Sequence, residues 1–391
     1  MNLSQLVALK EAIRTAGYQL GLDLVGFAPA RYDRDLEQHL VELQSVGYLS
    51  QFLPGEPSAH ADPERVLPGA RSTIAGAVSY LAPVEALEDD DENGTHGLRG
   101  RLARYTWVPD YHPLLRSRLQ ALAERLPQIT AQQITRQQVR AAILVDSGSL
   151  LDRVAAVAAG LGWIGKNGCL INPIYGSWLV LGQIVTDLPL PPDEPIPGRC
   201  GRCERCLRTC PTQALVSPGV LEARRCVSEW TQRHGDVPED LRPGFGNFIF
   251  GCDICQDVCP WNRKARPGRW AQERSEPIKR DQAFPRLDAL LNRSRRDLEA
   301  ELHGRAHGWR GSRVLQRNAI IALGNSGDPA AIELLEQALT SNSPVLRSHA
   351  RGALACLRKT LPSDSPQYPV WEEHIGRLLA ASPADRPERK S

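Results

Sequence analysis

Cysteine spacing constrains this chain more than any other feature. Residues 200–261 hold eight of the ten cysteines. The first four, followed by proline, have the C-x2-C-x2-C-x3-C-P spacing of bacterial ferredoxins, in which the fourth cysteine ligates the other 4Fe–4S cluster. The second run, C-x2-C-x3-C-P, has Ile249 where its first cysteine belongs, and Cys226 is the natural replacement. The pattern therefore predicts two clusters. Their ligand sets are Cys200, Cys203, Cys206 and Cys259 for cluster 1, and Cys210, Cys226, Cys252 and Cys255 for cluster 2.

A disulfide framework and a pair of zinc sites are the alternatives to two clusters. The N-terminus does not have the pattern of a secretory signal, so a reducing cytoplasm is expected and disulfides are disfavoured. Structural zinc sites usually pair two C-x2–4-C knuckles and do not need the reciprocal C-P ends seen here. No apolar run reaches 18 residues, so no membrane span is predicted.

The first 190 residues alternate between predicted strands and helices, which is typical of an α/β domain. Apolar strands are predicted at residues 22–28, 72–81, 140–145 and 177–186. Helices are predicted at residues 3–16, 34–47 and 150–159, and Asp110-Tyr111-His112 opens a further one that runs to about residue 126. A proline-rich linker, residues 188–198, leads to the cysteine-rich segment.

The C-terminal part has a different character. Residues 261–317 contain 15 Lys and Arg against 7 Asp and Glu, which predicts a surface for a polyanion, or alternatively a solvated charged face. A repeat with a period of 31 residues, in which residues 314–323 match 345–354, predicts two short HEAT-type helical repeats. We therefore predict three domains: an α/β domain at 1–190, a ferredoxin-like domain at 191–262, and a basic linker with HEAT-like repeats at 263–391.

Asp146 is the first catalytic candidate. It follows a predicted parallel strand at the end where α/β folds place ligands; the alternative is an Asx turn with Ser147-Gly148. Ser149 with Asp152 three residues later predicts a capping box for the next helix. The glycine-rich loop at residues 162–167 is not a P-loop. It could cradle an anionic or planar cofactor through Lys166, or it could be a helix-end turn with a surface lysine.

These motifs together resemble those of the epoxyqueuosine reductases, and the resemblance extends from residue 1 to about residue 355. The residues that carry it are Asp110-Tyr111-His112, residues 145–148, residues 162–167, Cys200 to Pro211, and residues 251–262. Two departures are small: Ser147-Gly148-Ser149 replaces the usual Thr-Gly-Pro, and Cys169 replaces an aliphatic residue. Asp110-Tyr111-His112 has the start of the cobalamin-ligating motif D-x-H-x-x-G, but no glycine follows at the required position. This agrees with the resemblance, because the family binds cobalamin without a histidine below the cobalt.

The resemblance implies a cobalamin between the α/β and ferredoxin-like domains. It also implies reduction of epoxyqueuosine to queuosine in tRNA with a GUN anticodon, the last step of queuosine biosynthesis. Electrons would pass from an external flavodoxin- or ferredoxin-type donor, or a chemical reductant, through both clusters to give cob(I)alamin. Asp146 matches the family's proton donor. The cobalamin contacts that the resemblance implies are Arg65, Tyr105, Asp146, Arg153, Trp163, Lys166, Ser177 and Ser228. The expected enzyme is cytoplasmic and monomeric.

Two other functions are alternatives to this one. Reductive dehalogenation would use the same cofactors, but the chain has HEAT-like repeats and lacks a twin-arginine export signal. The third possibility is a non-enzymatic electron-transfer protein with a tRNA-binding or scaffold surface. Asp146 with its neighbouring glycine-rich loop argues against such a shuttle.

Overall fold

The computed structural model divides the chain into two compact units. It describes residues 2–381 except 32–33, 54, 83–97, 135–137, 147–148 and 275–276. Unit 1 comprises Met1–Pro83, Asp110–Arg224 and Ile254–Pro277. Unit 2 comprises Val84–Pro109, Arg225–Asp253 and Ile278–Ser391. The division into three domains at residues 190 and 262 stays a prediction. Among the described residues, no helix combines the length and the apolar character that crossing a bilayer requires.

Helices predominate among the described elements. They are α1 (Leu3–Gln19), α2 (Arg34–Ser45), α3 (Tyr111–Ile134), α4 (Asp152–Ala158), α5 (Arg205–Thr209), α6 (Val227–Trp230), α7 (Ile254–Asp257), α8 (Arg269–Gln272), α9 (Arg280–Ala283), α10 (Leu287–Asn292), α11 (Arg295–Leu302), α12 (Ser312–Asn325), α13 (Ala331–Ala338), α14 (Pro344–Thr360) and α15 (Tyr368–Ala380). The strands are β1 (Leu24–Pro29), β2 (Ser72–Ser79), β3 (Arg101–Leu102), β4 (Ala141–Val145), β5 (Trp163–Ile164), β6 (Leu170–Ile171), β7 (Leu179–Thr186), β8 (Leu215–Ser217), β9 (Val220–Leu221) and β10 (Phe248–Phe250).

The main sheet of unit 1 has the strand order β1-β2-β7-β4, and all three pairings are antiparallel. The predicted strands and helices are present, but the prediction that Asp146 ends a parallel strand is wrong, because β4 runs antiparallel to β7. The error has a physical cause. All eight residues of β2 are buried, and its central residues 74–78 are polar-free, which is typical of strands in parallel sheets.

Both faces of this sheet are covered by helices, which explains that burial. Leu119 of α3 lies on one face, where a Cβ on Gly76 would come within 2.9 Å of its side chain. On the other face α4 packs against alanines of β1 and β2. A Cβ on Gly26 would come within 2.1 Å of the Ala159 carbonyl oxygen, so this close approach requires glycine. The packing fixes α3 and α4 relative to the end of β4.

Unit 2 contains the helical repeat. Ten residues match at the 31-residue period, and they lie on α12 and α14, which pack against each other. All of them except Val345 are buried; they are Val314, Leu315, Ala319, Ala322, Leu323, Val345, Leu346, Ala350, Ala353 and Leu354. Arg317 of α12 is also buried, at 1% exposure, although it was counted in the basic segment. Its guanidinium donates to the carbonyl oxygens of Trp230, Arg233 and Gly235. Arg317 therefore has a structural role within unit 2.

Candidate active site

Asp146 lies immediately after β4, and its carboxylate is well exposed. Its backbone has φ 51°, in the left-handed region that non-glycine residues rarely occupy. The side chain is 63% exposed. Such a conformation persists only where surrounding contacts impose it, and it is commonest at functional sites. The predicted turn at Ser147-Gly148 lies outside the described residues.

The first two residues of α3 bind the Asp146 carboxylate. The Tyr111 hydroxyl donates to Oδ2 at 2.9 Å, and Nε2 of His112 lies 3.3 Å from the same oxygen. Nδ1 of His112 lies 2.7 Å from Oδ1 of Asp110, and the Tyr111 and His112 rings stack with centroids 4.1 Å apart. The Asp110-Tyr111-His112 motif therefore forms a hydrogen-bonded chain that ends on Asp146.

This chain couples the protonation of Asp146 and His112. The hydrogen bond from His112 holds the pKa of Asp146 below its ordinary value, and that from Tyr111 acts in the same direction. The hydrogen bond to Asp146 raises the pKa of His112, and the contact with Asp110 adds to the effect. In the free protein, a proton shared by Asp146 and His112 consequently resides on His112.

Asp152 is a residue of this site that the sequence reasoning assigned to another role. It does not form a capping box with Ser149: the N-cap of α4 is Leu151, which makes no side-chain cap hydrogen bond. Instead Oδ2 of Asp152 accepts from the Asp146 backbone N–H, and Oδ1 accepts from Gln183, both at 2.7 Å. Burial raises the pKa of Asp152 to about 7. Asp152 thus holds the left-handed backbone of Asp146 in place.

Five of the predicted cobalamin contacts besides Asp146 lie in unit 1, and Arg65, Arg153 and Ser177 are three of them. Arg153, on α4, donates to the Gly168 carbonyl oxygen at 2.6 Å, and its charge also lowers the pKa of Asp146. Arg65 is exposed. The Ser177 hydroxyl is part of a buried hydrogen-bond cluster with Gln256 and Asn262. Of these three residues, only Arg153 acts on Asp146.

The remaining predicted contacts belong to two regions. Trp163 and Lys166 belong to the glycine-rich loop and its strand in unit 1; Trp163 is 2% exposed and packs edge to face on Trp261. Tyr105 and Ser228 belong to unit 2. The Tyr105 ring packs near Phe250. The Ser228 carbonyl oxygen accepts a hydrogen bond from the Thr231 hydroxyl at the end of α6. The roles of these four residues toward a cofactor stay predictions.

A cavity in unit 1 brings together the four cysteines predicted for cluster 1. It has a volume of about 310 Å³, and Cys200, Cys203, Cys206 and Cys259 all line it. Within the described ranges, no three or more His, Cys, Asp or Glu side chains approach closely enough to hold a single metal ion. The four cysteines instead share one cavity, and the ligands of a single cluster must share one site. The cavity therefore fits a 4Fe–4S cluster.

Two buried donors adjoin this cavity. Nε1 of Trp163 and Nδ2 of Asn167 have no hydrogen-bond partner among the residues that the structure describes. A buried donor left without a partner costs about 1–3 kcal/mol. The Trp163 ring packs against Cys259 and Cys200, and Asn167 lines the cavity. Cluster sulfurs are hydrogen-bond acceptors, so such a group would remove part of this cost.

The cysteines predicted for cluster 2 are divided between the two units. Cys210 and Cys255 belong to unit 1, and Cys226 and Cys252 to unit 2. The Cys210 sulfur accepts a hydrogen bond from the Ala214 backbone N–H at 3.3 Å, as thiolate ligands of clusters commonly do. The assembly of this second set stays a prediction.

Family models match three parts of the chain. The 4Fe-4S double cluster binding domain matches residues 199–262. The model described as Epoxyqueuosine reductase QueG, DUF1730 matches residues 60–147, and the PBS lyase HEAT-like repeat matches residues 315–341. Together with the cysteine cavity and the acidic site, these matches define an iron–sulfur oxidoreductase that carries helical repeats.

Similar proteins identify the family. The epoxyqueuosine reductase of Bacillus subtilis is 36% identical over 355 residues, which is 90% of this chain and 88% of that protein. The Bacillus cereus enzyme is 36% identical over 88% of each chain. A crystal structure of epoxyqueuosine reductase with an epoxyqueuosine-modified tRNA stem loop matches with a TM-score of 0.79 and 32% identity, over 96% of this chain and all of that one. The chain belongs to the epoxyqueuosine reductase family.

Proposed function

We propose that this chain reduces epoxyqueuosine to queuosine in the anticodon loop of tRNA, with Asp146 as the proton donor. The observation that carries the proposal is the exposed Asp146 carboxylate, bound by Tyr111 and His112 in a chain of an established family. Conversion of an epoxide to an alkene consumes two electrons and two protons and releases water. The epoxide oxygen cannot leave as a dianion, so the reaction needs an acid.

The Asp146–His112 pair meets that need as a unit. The proton rests on His112 while Asp146 is an ionised acceptor. As negative charge develops on the epoxide oxygen, His112 gives its proton to Asp146, which passes it to that oxygen. The second proton, which completes water, comes from solvent. The Tyr111 hydroxyl stays bound to Oδ2 and keeps the carboxylate oriented throughout.

Cobalamin is the proposed electron-delivering cofactor. Both ring nitrogens of His112 are occupied by carboxylates, so this D-x-H sequence offers no free imidazole for cobalt. That agrees with a cofactor held without a histidine ligand. Arg65, Tyr105, Arg153, Trp163, Lys166, Ser177 and Ser228 are the residues proposed to hold it, beside Asp146. When bound and reduced, cobalamin supplies the two electrons that the epoxide consumes.

Two 4Fe–4S clusters are the proposed route for those electrons, one on each of the cysteine sets predicted from the spacing. The cysteine cavity supports the first set. Each cluster passes one electron at a time, so two transfers per turnover are needed. The proposed source is an external flavodoxin- or ferredoxin-type carrier, and the enzyme is proposed to act as a cytoplasmic monomer.

The proposed tRNA surface lies in unit 2. Arg296 and Arg313 are exposed members of the basic segment. Trp309 is 56% exposed, and the Arg310 guanidinium lies 4.5 Å from the centre of its ring. An exposed aromatic ring with a stacked arginine is a typical platform for an unpaired base. Phosphate contacts by the arginines would make tRNA binding strongly salt-dependent.

The test of this function has a cellular arm and a reconstituted arm. Cells that lack the gene should accumulate epoxyqueuosine in their tRNA, as measured by mass analysis of anticodon nucleosides. The protein reconstituted anaerobically should bind cobalamin and about eight irons, four per cubane. Asp146→Ala should retain both cofactors and lose turnover. Wild-type turnover by this variant would refute the acid assignment, and unchanged nucleosides in the deletion strain would refute the substrate.

A further inference from the structure

The side-chain amide of Asn167 is oriented by the loop that carries it. Oδ1 of Asn167 accepts a hydrogen bond from the Cys169 backbone N–H at 3.2 Å. Of the two ends of an asparagine amide, only the oxygen can accept from a backbone N–H, so this contact fixes which end is which. The Nδ2 donors therefore face away from the loop backbone.

Asn167 is 6% exposed, and it lines the cavity formed by Cys200, Cys203, Cys206 and Cys259. Four basic side chains also line this cavity: Lys166, Arg199, Arg205 and Lys264. All of them except Lys166 are exposed. None of them is a hydrogen-bond acceptor. Among the described residues, Nδ2 of Asn167 has no partner. The sulfurs of a cluster in this cavity would be acceptors for such a donor.

We propose that Asn167 donates an N–H···S hydrogen bond to the cluster held by Cys200, Cys203, Cys206 and Cys259, and thereby raises its reduction potential. The inference rests on the proposed cluster assignment. Reduction adds negative charge to the cluster and its sulfurs. A donor aimed at a sulfur stabilises the reduced form more than the oxidised form, so the potential rises. The proposed role of Asn167 is to adjust the reduction potential of this cluster, and it involves no contact with the tRNA substrate.

The direct test is an EPR-monitored redox titration of the full-length reconstituted enzyme. Asn167→Leu keeps the approximate volume of the side chain and removes the donor. We expect the reduction equilibrium of one cluster to become about tenfold less favourable, a shift of about 59 mV to more negative potential for a one-electron couple. The other cluster should be unchanged and serves as an internal reference.

Ile171→Val is the matched control. Ile171 lines the same cavity, is 1% exposed and carries no hydrogen-bond donor on its side chain. Its variant tests whether a small packing change alone moves the potential, and we expect no shift. An equal shift in both variants, or no shift in Asn167→Leu, would overturn the proposal.

A spectroscopic measurement detects the hydrogen bond itself. Wild-type enzyme labelled with 15N-asparagine should show a weak 15N coupling to the reduced cluster in pulsed EPR. Asn167→Asp keeps the shape of the side chain and should lose that coupling; its persistence would contradict the proposal.

The cluster assignment and the role of Asn167 would be contradicted by different results. Fewer than about eight irons would contradict the cluster assignment, whereas about eight irons with an unshifted potential contradict the role of Asn167 alone.

Discussion

Replacement of Asp152 by alanine tests whether catalysis depends on how the Asp146 backbone is held. Oδ2 of Asp152 is the acceptor for the Asp146 N–H at 2.7 Å, and its other oxygen is anchored by Gln183 at the same distance. Asp152→Ala removes that acceptor and leaves Tyr111 and His112 in place. The carboxylate of Asp146 would keep its partners, but the backbone at φ 51° would lose its support.

The expected loss follows from these contacts. A hydrogen bond to a carboxyl acceptor contributes about 0.5–3 kcal/mol, with the upper half of that range for the ionised form, and a left-handed backbone costs a non-glycine residue about 1–2 kcal/mol. Loss of about 2 kcal/mol of support lowers the population of the competent conformation by about 30-fold, since 1.4 kcal/mol is tenfold. We therefore expect kcat to fall about 30-fold with KM for the RNA unchanged. Asp152→Asn, which retains one acceptor oxygen, should lose less.

Single-turnover conversion of an epoxyqueuosine-containing stem loop by pre-reduced enzyme measures this effect. Asp23→Ala is the matched control. Asp23 is a buried carboxylate of the same unit that accepts two backbone N–H groups, from Ser79 at 2.8 Å and Arg269 at 2.9 Å. Burial raises its pKa, as it does for Asp152. Both variants should lower thermal stability, but only Asp152→Ala should lose turnover. Turnover within twofold of wild type, or an equal loss in both variants, would refute the reasoning.

Three further predictions concern unit 2. Arg317→Leu removes a buried guanidinium and leaves three carbonyl oxygens without their donor, so the free energy of unfolding should fall by about 3 kcal/mol in urea titrations; a change below about 1 kcal/mol would contradict this. Trp309→Ala should weaken stem-loop binding about tenfold in a filter assay if one base stacks there, and unchanged affinity would exclude that contact. Burial lowers the pKa of His349 to about 4, and its neutral Nε2 accepts from the Val237 N–H. Its stabilising contribution is present above pH 6.5 and lost between pH 6.5 and 4, so His349→Gln should unfold with a shallower pH dependence than wild type over that range.

The sequence predicted the cysteine cavity because ligand spacing is a local property. Cys200, Cys203 and Cys206 lie within seven residues, and a cluster that needs them fixes their spacing. The family model at residues 199–262 confirms the cluster-binding character of this segment. The helical repeat could also be predicted from the sequence, because the apolar residues that repeat every 31 positions are the ones that become buried. Strand direction could not be predicted, since a strand that is buried on both faces has the same apolar sequence pattern in parallel and antiparallel sheets.

The acidic site was only partly predictable for a different reason. The motif at residues 110–112 was recognised, but its contact with Asp146 is made 34 residues later and depends on how α3 packs beside β4. Asp152 followed the local rule for a helix cap, and a tertiary contact overrode that rule. Local patterns name the residues of such a site, whereas their pairing arises from packing between elements.

The position of the proton resolves an apparent conflict in the proposed mechanism. An acid must be protonated to act, yet its neighbours hold the pKa of Asp146 low. The same hydrogen bond raises the pKa of His112, so the proton is retained one bond away from the carboxylate. As the epoxide opens, the developing alkoxide becomes more basic than Asp146, and proton transfer through the chain becomes favourable only then. In the proposed mechanism protonation would therefore be coupled to electron delivery, because a low pKa at Asp146 would keep the site from acting as an acid until the substrate has received negative charge.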